Sequence, residues 1–500
     1  MKAYLLTVPF AASLVFCCPK ALAQTETNKA QADAQQDAAS KSTSQKSKAG
    51  KNKSRYPGSA LGLGPRVGPF MYIRWAEDWS DPSKAPSYKH IQLGGNPESY
   101  LTLSGEGRLR MNYTAHPGLT PAADGQDQWL LRGVVGVDAH LGSHFRAFGE
   151  VNSSTVFGHN PGAKSAQQDN DALVQQLFGE VHGQTDTADY AVRVGRQEFM
   201  DGPPAILHIR PSPNVYTTMD GISAAMNWSR FRLNAFSFKT IVLTRGGFDD
   251  SSRDGGRFSG VSTSFAAIRP AKPGDDALFV DPFAWQLKRD NKPWGARVAD
   301  ERRDIYGIRF WGNAGAGRYD ASLIRQEGSF GESRISAWGF FSNGSLTLPG
   351  ALKPQIGFHA DYASGGGGFT DGTLKDFSFF YGSIPYFSWG SLVGPTNLAT
   401  IAPTLRLSLS KSVQLGFEYE PLRRVSESDA VYTSQEGVYA RTQTVPGKDI
   451  GALLRADLQW QANDYVQAGI RTEYLSAGDV LERAGYGSTF FVLLETQIRF

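Results

Sequence analysis

The chain has 500 residues, with 51 Lys and Arg against 48 Asp and Glu and a formal net charge of +3. So even a balance excludes the strong basic field of a nucleic-acid binder. Its two cysteines, Cys17 and Cys18, both lie in an N-terminal apolar stretch, which leaves a mature exported protein without a disulfide framework.

That stretch reads as a secretory signal. Lys2 precedes apolar residues from Ala3 to Cys18, and Ala21-Leu22-Ala23 offers the small residues a signal peptidase needs. Cleavage is expected after Ala23, giving a signal over 1–23. The charge falls to about +1 once Lys2 and Lys20 leave with it. A lipoprotein site is disfavoured because Phe16 stands where a small residue is required. No later run of about 18 apolar residues follows, so no transmembrane helix is available. An exported chain of this kind is either periplasmic or a closed barrel in the outer membrane.

Residues 24–55 are rich in Gln, Ala, Ser and Lys, with no aromatic before Tyr56. Such a segment buries too little apolar surface to offset its ordering entropy and reads as a disordered linker. Residues 56–98, richer in Trp, Pro and Gly, read as an ordered approach to a barrel over 99–500. From there the period is two. Leu101, Leu103, Gly105, Gly107, Leu109, Met111 and Tyr113 share one face; Thr102, Ser104, Glu106, Arg108, Arg110 and Asn112 share the other. In a soluble sandwich the apolar face would meet a second sheet, whereas the charged face here calls for water. The same alternation returns at 129–141, 355–362, 413–420, 450–460 and 466–474, in segments of about ten residues, the length of a tilted membrane strand.

Tight turns are expected at Gly142–His144, Ser229, Asn313–Gly317, Pro349–Lys353, Ser410–Ser412 and Gln461–Asp464. Long polar connections fall at 200–218, 240–302, 364–396, 421–447 and 475–487. The 240–302 connection holds two further strand candidates around 257–267 and 277–287, and loops of this kind fold inward or cap the external mouth. Short turns on one rim and long loops on the other mark an outer-membrane barrel. Aromatics near strand ends (Trp129, Trp228, Tyr419, Trp460, Tyr474) fit interface girdles. The last segment alternates Phe490, Val492, Leu494, Thr496, Ile498 and Phe500 against Glu495, Gln497 and Arg499. It reads as the closing strand, whose terminal Phe resembles the signal read by the barrel-assembly machinery. The expected fold is therefore all-β: a transmembrane antiparallel β-barrel of about 18 strands, within 16–20, large enough to leave a lumen.

Alternation nominates pore-lining residues. The basic ones are Arg108, Arg110, Arg132, Arg146, Arg230, Arg232, Arg309, Arg406, Arg455 and Arg471, with Arg318 and Arg499. The acidic ones are Glu106, Asp138, Glu150, Glu418, Asp457 and Glu473, with Asp320, Asp361, Glu420 and Glu495. Arg196 joins them only if Gly195 bulges, because strict alternation puts it with Val192 and Val194. Carboxylates nearly match arginines, so many of these charges are expected to pair as wall bridges. No Gly-x-Ser-x-Gly elbow, His-Glu-x-x-His pair or Walker loop occurs. The eight histidines are scattered; His140 and His144 share no helical face. Gly365–Gly368 with Asp371 lacks the ligand spacing of a calcium loop and reads as flexible loop. No catalysis, metal or cofactor is expected.

Several stretches resemble the alginate-export (AlgE-like) family of outer-membrane channels. They are Arg74-Trp75-Ala76-Glu77-Asp78-Trp79, Tyr88-Lys89-His90-Ile91-Gln92-Leu93, Tyr100-Leu101-Thr102-Leu103-Ser104-Gly105-Glu106 and Val194-Gly195-Arg196-Gln197-Glu198. Pro213-Asn214-Val215, Asp220-Gly221, Gly394-Pro395-Thr396-Asn397-Leu398 and Gly478-Asp479 follow in the same order. The resemblance spans most of 70–500. It implies an 18-stranded monomeric channel that carries an anionic polysaccharide outward through an arginine-rich constriction. Its partners would be outer-membrane lipid, an anionic polysaccharide or acidic sugar, and periplasmic export proteins, with no nucleic acid. The competing reading is a passive diffusion porin for small sugars or organic acids, which shares the fold and the mixed lumen charge.

Overall fold

The computed structural model describes residues 56–57 and 66–500, apart from Pro273 and Gln435. The expected signal (1–23) and linker (24–55) lie outside the described residues. Among the described residues no helix is long and apolar enough to cross a membrane.

Eighteen antiparallel strands close into one barrel. The first nine are β1 Tyr100–Thr114, β2 Gln126–Leu141, β3 Phe145–Phe157, β4 Asn170–Gln184, β5 Asp189–Gln197, β6 Met219–Asn227, β7 Phe231–Val242, β8 Ser251–Ile268 and β9 Ala277–Trp294. The rest are β10 Arg297–Ala314, β11 Gly317–Phe330, β12 Ser333–Thr347, β13 Gln355–Ala363, β14 Leu398–Ser408, β15 Val413–Arg424, β16 Asp449–Gln461, β17 Val466–Ala477 and β18 Thr489–Arg499. β18 pairs with β1 from Phe491↔Thr114 to Arg499↔Glu106. Closure leaves no unpaired edge, which a bilayer without hydrogen-bonding solvent demands.

The alternation in β1 and β2 holds residue by residue. Glu106, Arg108, Arg110 and Arg132 are buried, while Leu109, Leu131 and Val135 are exposed on the lipid side. One rim carries turns at 142–144, 185–188, 228–230, 315–316, 409–412 and 462–465; the other carries the long connections 198–218, 364–397, 425–448 and 478–488. The two-residue turn at 315–316 needs a left-handed residue, which Gly315 supplies at φ 55°.

One expectation fails. The span 240–302 is no long loop but wall, because β8, β9 and β10 have 18 residues each. β9 and β10 meet at a tight turn over 295–296. At roughly 3.3 Å per residue such strands reach about 60 Å, well beyond the hydrocarbon core. The strand candidates around 257–267 and 277–287 fall inside β8 and β9, but both are longer than alternation suggested, since both faces are apolar in places: Phe279, Phe283, Trp285 and Leu287 point inward from β9, and Leu278, Val280 and Ala284 occupy the other face.

The lumen is filled from three directions. The N-terminal approach enters at the short-turn rim, where the Phe70 and Tyr465 rings lie 5.5 Å apart, and Phe70, Met71, Ile73 and Arg74 are buried inside. Connections 198–218 and 364–397 fold in from the opposite rim and bond to each other, His208 N donating to Tyr381 O at 2.9 Å. Ile206, Leu207, Phe377, Phe379 and Phe387 from these connections pack on Phe236, Phe258, Phe283, Trp285, Ile305, Ile324 and Phe341 of the wall. From β7 to β12, therefore, much of the inward face is an apolar core rather than the polar lining expected throughout.

Candidate functional site

The polar side of the lumen runs over β13–β18 and β1–β4, and its charges fall into two groups. The first centres on Glu106. Arg132 Nε reaches Glu106 at 2.7 Å and Arg499 Nη2 at 2.7 Å, with Arg74 of the N-terminal segment beside them. The Tyr216 hydroxyl donates to the same carboxylate at 2.9 Å. Arg74 also bridges to Glu150 at 2.9 Å. Every side chain in this knot is almost wholly buried.

Above the knot lies the 198–218 connection. Arg108 donates to Pro211 O (2.7 Å), Pro213 O (3.1 Å) and Asn214 Oδ1 (2.8 Å). Arg110 donates to Ser212 O at 2.7 Å and Arg132 to Pro213 O at 3.0 Å. Prolines carry no N–H, so Pro211-Ser212-Pro213 presents mainly acceptors, which suits a wall of guanidiniums. Asn214 is fully buried and ties the connection down, donating to Gln168 O at 2.7 Å and Thr155 O at 3.2 Å. The three arginines expected to face water are instead bound to loop carbonyls. Just before them, Glu198 is fully buried. Burial, and then the nearby Glu150 carboxylate, hold its carboxyl well above the usual range.

The second group spans β13–β17. His359 lies between Asp361 (2.7 Å) and Glu418 (3.0 Å). Arg455 reaches Glu420 at 2.6 Å, and also pairs with Glu418. Glu473 accepts from Ser388 Oγ (2.5 Å) and Trp389 N (2.8 Å), fastening the 364–397 connection to the wall. The Arg455 and Arg471 guanidiniums stand 5.5 and 6.0 Å from the Trp389 ring centre. Arg471 is half-buried and faces Asp457 across β16–β17. Arg406 is more open still, its side chain 43 % exposed and 3.7 Å from Asp457.

The other nominated residues are placed as follows. Arg146 pairs with Asp138 at 2.7 Å and with the Trp75 carbonyl, which joins the wall to the N-terminal segment. Arg232 reaches Asp201 at 3.3 Å, and Arg309 bonds Asp320 at 2.9 Å and Gly202 O at 3.0 Å. Two nominations are corrected. Gly195 does adopt φ 132°, yet the register keeps Arg196 opposite Leu177, which is 61 % exposed. Arg196 therefore stays on the outer face, paired with Asp220 at 2.9 Å. Arg230 is exposed in the 228–230 turn rather than in the wall. Arg74, Tyr216, Asn214, Tyr386 and Trp389 were not nominated as lining residues, because none lies on an alternating strand, although Arg74 and Asn214 stand in the motifs that carry the family resemblance. A run of two prolines and an asparagine in an otherwise long connection was the signal available for the inward fold.

On the inward face of β14–β18, Arg406, Arg471 and Glu495 keep partial exposure beside Trp389, with Asp457 buried among them. This lining offers guanidiniums for carboxylates and an aromatic face for a ring. No curated protein matches the chain by sequence. Solved structures of similar fold include Acinetobacter baumannii OccAB1, at 12 % identity and TM-score 0.54 over 80 % of this chain and 97 % of that one. A BenF-like porin from Pseudomonas fluorescens Pf-5 aligns at 10 % identity and TM-score 0.53 over 80 % and 99 %. Pseudomonas aeruginosa OccK2, solved in complex with glucuronate, aligns at 11 % and 0.51 over 80 % and 98 %. At such identities the likeness is one of fold. The family model described as alginate export matches residues 99–490, from the start of the barrel into its last strand. With a closed eighteen-stranded barrel and that match over most of its length, the chain belongs to the alginate export family and is an outer-membrane channel.

Proposed function

We propose that the channel passes an anionic polysaccharide, alginate-like, or related acidic sugars out of the periplasm. The observation that carries this is the half-exposed Arg471 held beside Trp389 on the inward face of β17. A guanidinium pairs bidentately with a uronate carboxylate while the indole takes the apolar face of the sugar. Contacts here must be weak and repeated, and the mixture of Arg406, Arg471, Asp457 and Glu495 suits weak binding. Arg108, Arg110 and Arg132 would join this lining only when the 198–218 connection moves aside.

A passive porin for small sugars or organic acids is the second reading, and the filled lumen favours it. Both inward connections and the N-terminal segment narrow the path, and a monomer needs less room than a polymer. Planar-bilayer recording separates the two. Anion-selective current blocked by polyuronate supports export, whereas equal cation permeability with no block by polyuronate overturns it.

The remaining parts follow from the same reading. Residues 1–23 act as a cleaved signal, 24–55 as a tether and 56–98 as an approach segment within the barrel mouth. Phe500 addresses the chain to the barrel-assembly machinery, and periplasmic export proteins are its partners on the inner side.

A further inference from the structure

We propose that Lys239, Arg257, Lys288 and Arg302 form an outward-facing site for the phosphates of an outer-leaflet lipid of the lipopolysaccharide class. The four side chains come from four adjacent strands and stand in one row. Lys239 on β7 is in register with Arg257 on β8, Arg257 with Lys288 on β9, and Lys288 with Arg302 on β10. Side chains so opposed have Cβ atoms about 5 Å apart. All four point away from the lumen, since Phe238, Phe258, Leu287 and Arg303 beside them are the buried, inward ones.

Like charges directly opposite one another destabilise a sheet, so the row runs against what folding alone favours. Two carboxylates offset its ends: Asp254 meets Lys239 at 2.8 Å and Asp304 meets Arg302 at 3.3 Å. Asp290 and Asp300 lie further out along β9 and β10. Arg257 and Lys288, at the centre, are exposed, and their side chains make no ion pair among the described residues. An anion from outside the chain would relieve that repulsion.

The height of the row identifies the occupant. It lies toward the rim of the long connections, because β7 ends soon after Lys239 and the β9–β10 turn falls between Lys288 and Arg302. That rim faces the cell exterior in an outer-membrane barrel. Four residues below Arg302 on the same face stands Tyr306, 50 % exposed; through Arg325 it is in register with Trp338, 47 % exposed. Tyr and Trp mark the membrane–water interface. Four residues of a tilted strand raise the row about 10 Å above that girdle, to the level of headgroups. Cations turned toward the bilayer there complement phosphate, which guanidiniums chelate bidentately and ammoniums pair as point charges. A polyanion crossing the lumen meets the inner face of the wall instead. The site does not depend on which solute crosses.

The test is native mass spectrometry of the full-length protein in detergent, titrated with bisphosphorylated lipid A. Bound lipid A is expected, with dephosphorylated lipid A held at least about tenfold more weakly. Arg257→Gln combined with Lys288→Gln should weaken lipid A binding at least about tenfold, while excess polyuronate should leave the bound lipid in place. Heat-modifiable gel migration identifies the folded barrel in each sample, and Lys239→Gln combined with Arg302→Gln serves as a second pair should the first fail to fold. Wild-type protein that binds neither lipid or both alike, folded variants that hold lipid A as the wild type does, or displacement by polyuronate would overturn the proposal.

Discussion

Phe500 lays its ring over Gly105 across the closing seam of the barrel. The two residues exchange backbone hydrogen bonds, Gly105 N to Phe500 O at 2.9 Å and Phe500 N to Gly105 O at 3.1 Å. A Cβ on Gly105 would stand 2.1 Å from the ring tip. Gly105→Ala should therefore push the ring aside and lower stability by about 1–3 kcal/mol. Urea titration of the heat-modifiable band measures the loss; an unchanged midpoint would refute the notch.

Glu106 is the carboxylate that Arg74, Arg132 and Arg499 share, and its side chain is fully buried. Glu106→Gln leaves those guanidiniums with Glu150 as the remaining partner of Arg74. A cost of about 3–5 kcal/mol is expected, as for any buried ion pair stripped of one member. The same urea titration reads it, and Tyr216→Phe, which removes a single hydrogen bond, should cost only about 1 kcal/mol.

Charge reversal separates wall from passage. The Arg455 side chain is 2 % exposed between Glu418 and Glu420, so Arg455→Glu should destabilise the barrel by about 3–5 kcal/mol. Arg471 is half-buried beside Trp389. Arg471→Glu should keep gel migration intact while shifting reversal potentials toward cation selectivity. Loss of the folded band in Arg471→Glu would mark it as a wall bridge.

Asn214 ties the 198–218 connection to the wall. Asn214→Ala leaves Gln168 O and Thr155 O without their donor, at a cost of about 1–3 kcal/mol to that packing. Larger or noisier single-channel conductance is expected in planar bilayers. Traces identical to the wild type would show that this connection does not limit the path.

A pH dependence is built into the external connections. Asp376 and Asp429 are buried, with the Tyr432 hydroxyl 2.8 and 3.0 Å from them and Gly366 N donating to Asp429 at 2.7 Å. Burial, and then the neighbouring Asp429, push the Asp376 carboxyl well above the usual range. A carboxyl whose folded pKa is raised contributes fully below its ordinary value and loses that contribution as pH rises through the folded one. The contact between 364–397 and 425–448 should thus loosen toward alkaline pH. Limited proteolysis across a pH series should show faster cleavage there, and Asp376→Asn should flatten the response; an equal slope in the variant would refute it.

Much of the wall was legible in the linear chain. Where one face meets lipid and the other meets charge, as in β1, β2, β16 and β17, the two-residue period alone determines which side chains point inward. Arg108, Arg132 and Arg455 lie inward as alternation requires. Even Arg196 obeyed it, against the nomination. The period gives only part of a strand where both faces are apolar, as in β9, because lipid on one side and an aromatic core on the other ask for the same residue types.

The tertiary structure alone decided what the inward charges do. Alternation names a direction and says nothing about what occupies the space there. Arg108 and Arg110 point inward as expected, but Pro211 and Ser212 arrive from a connection a hundred residues away to take their hydrogen bonds. Arg471, with its guanidinium 6.0 Å from the Trp389 ring centre, keeps partial exposure. The sequence by itself thus determined a closed membrane barrel with charges turned inward, since strand geometry is local. Which charges pair, which are covered and which stay open depends on long-range packing, and no local period records that.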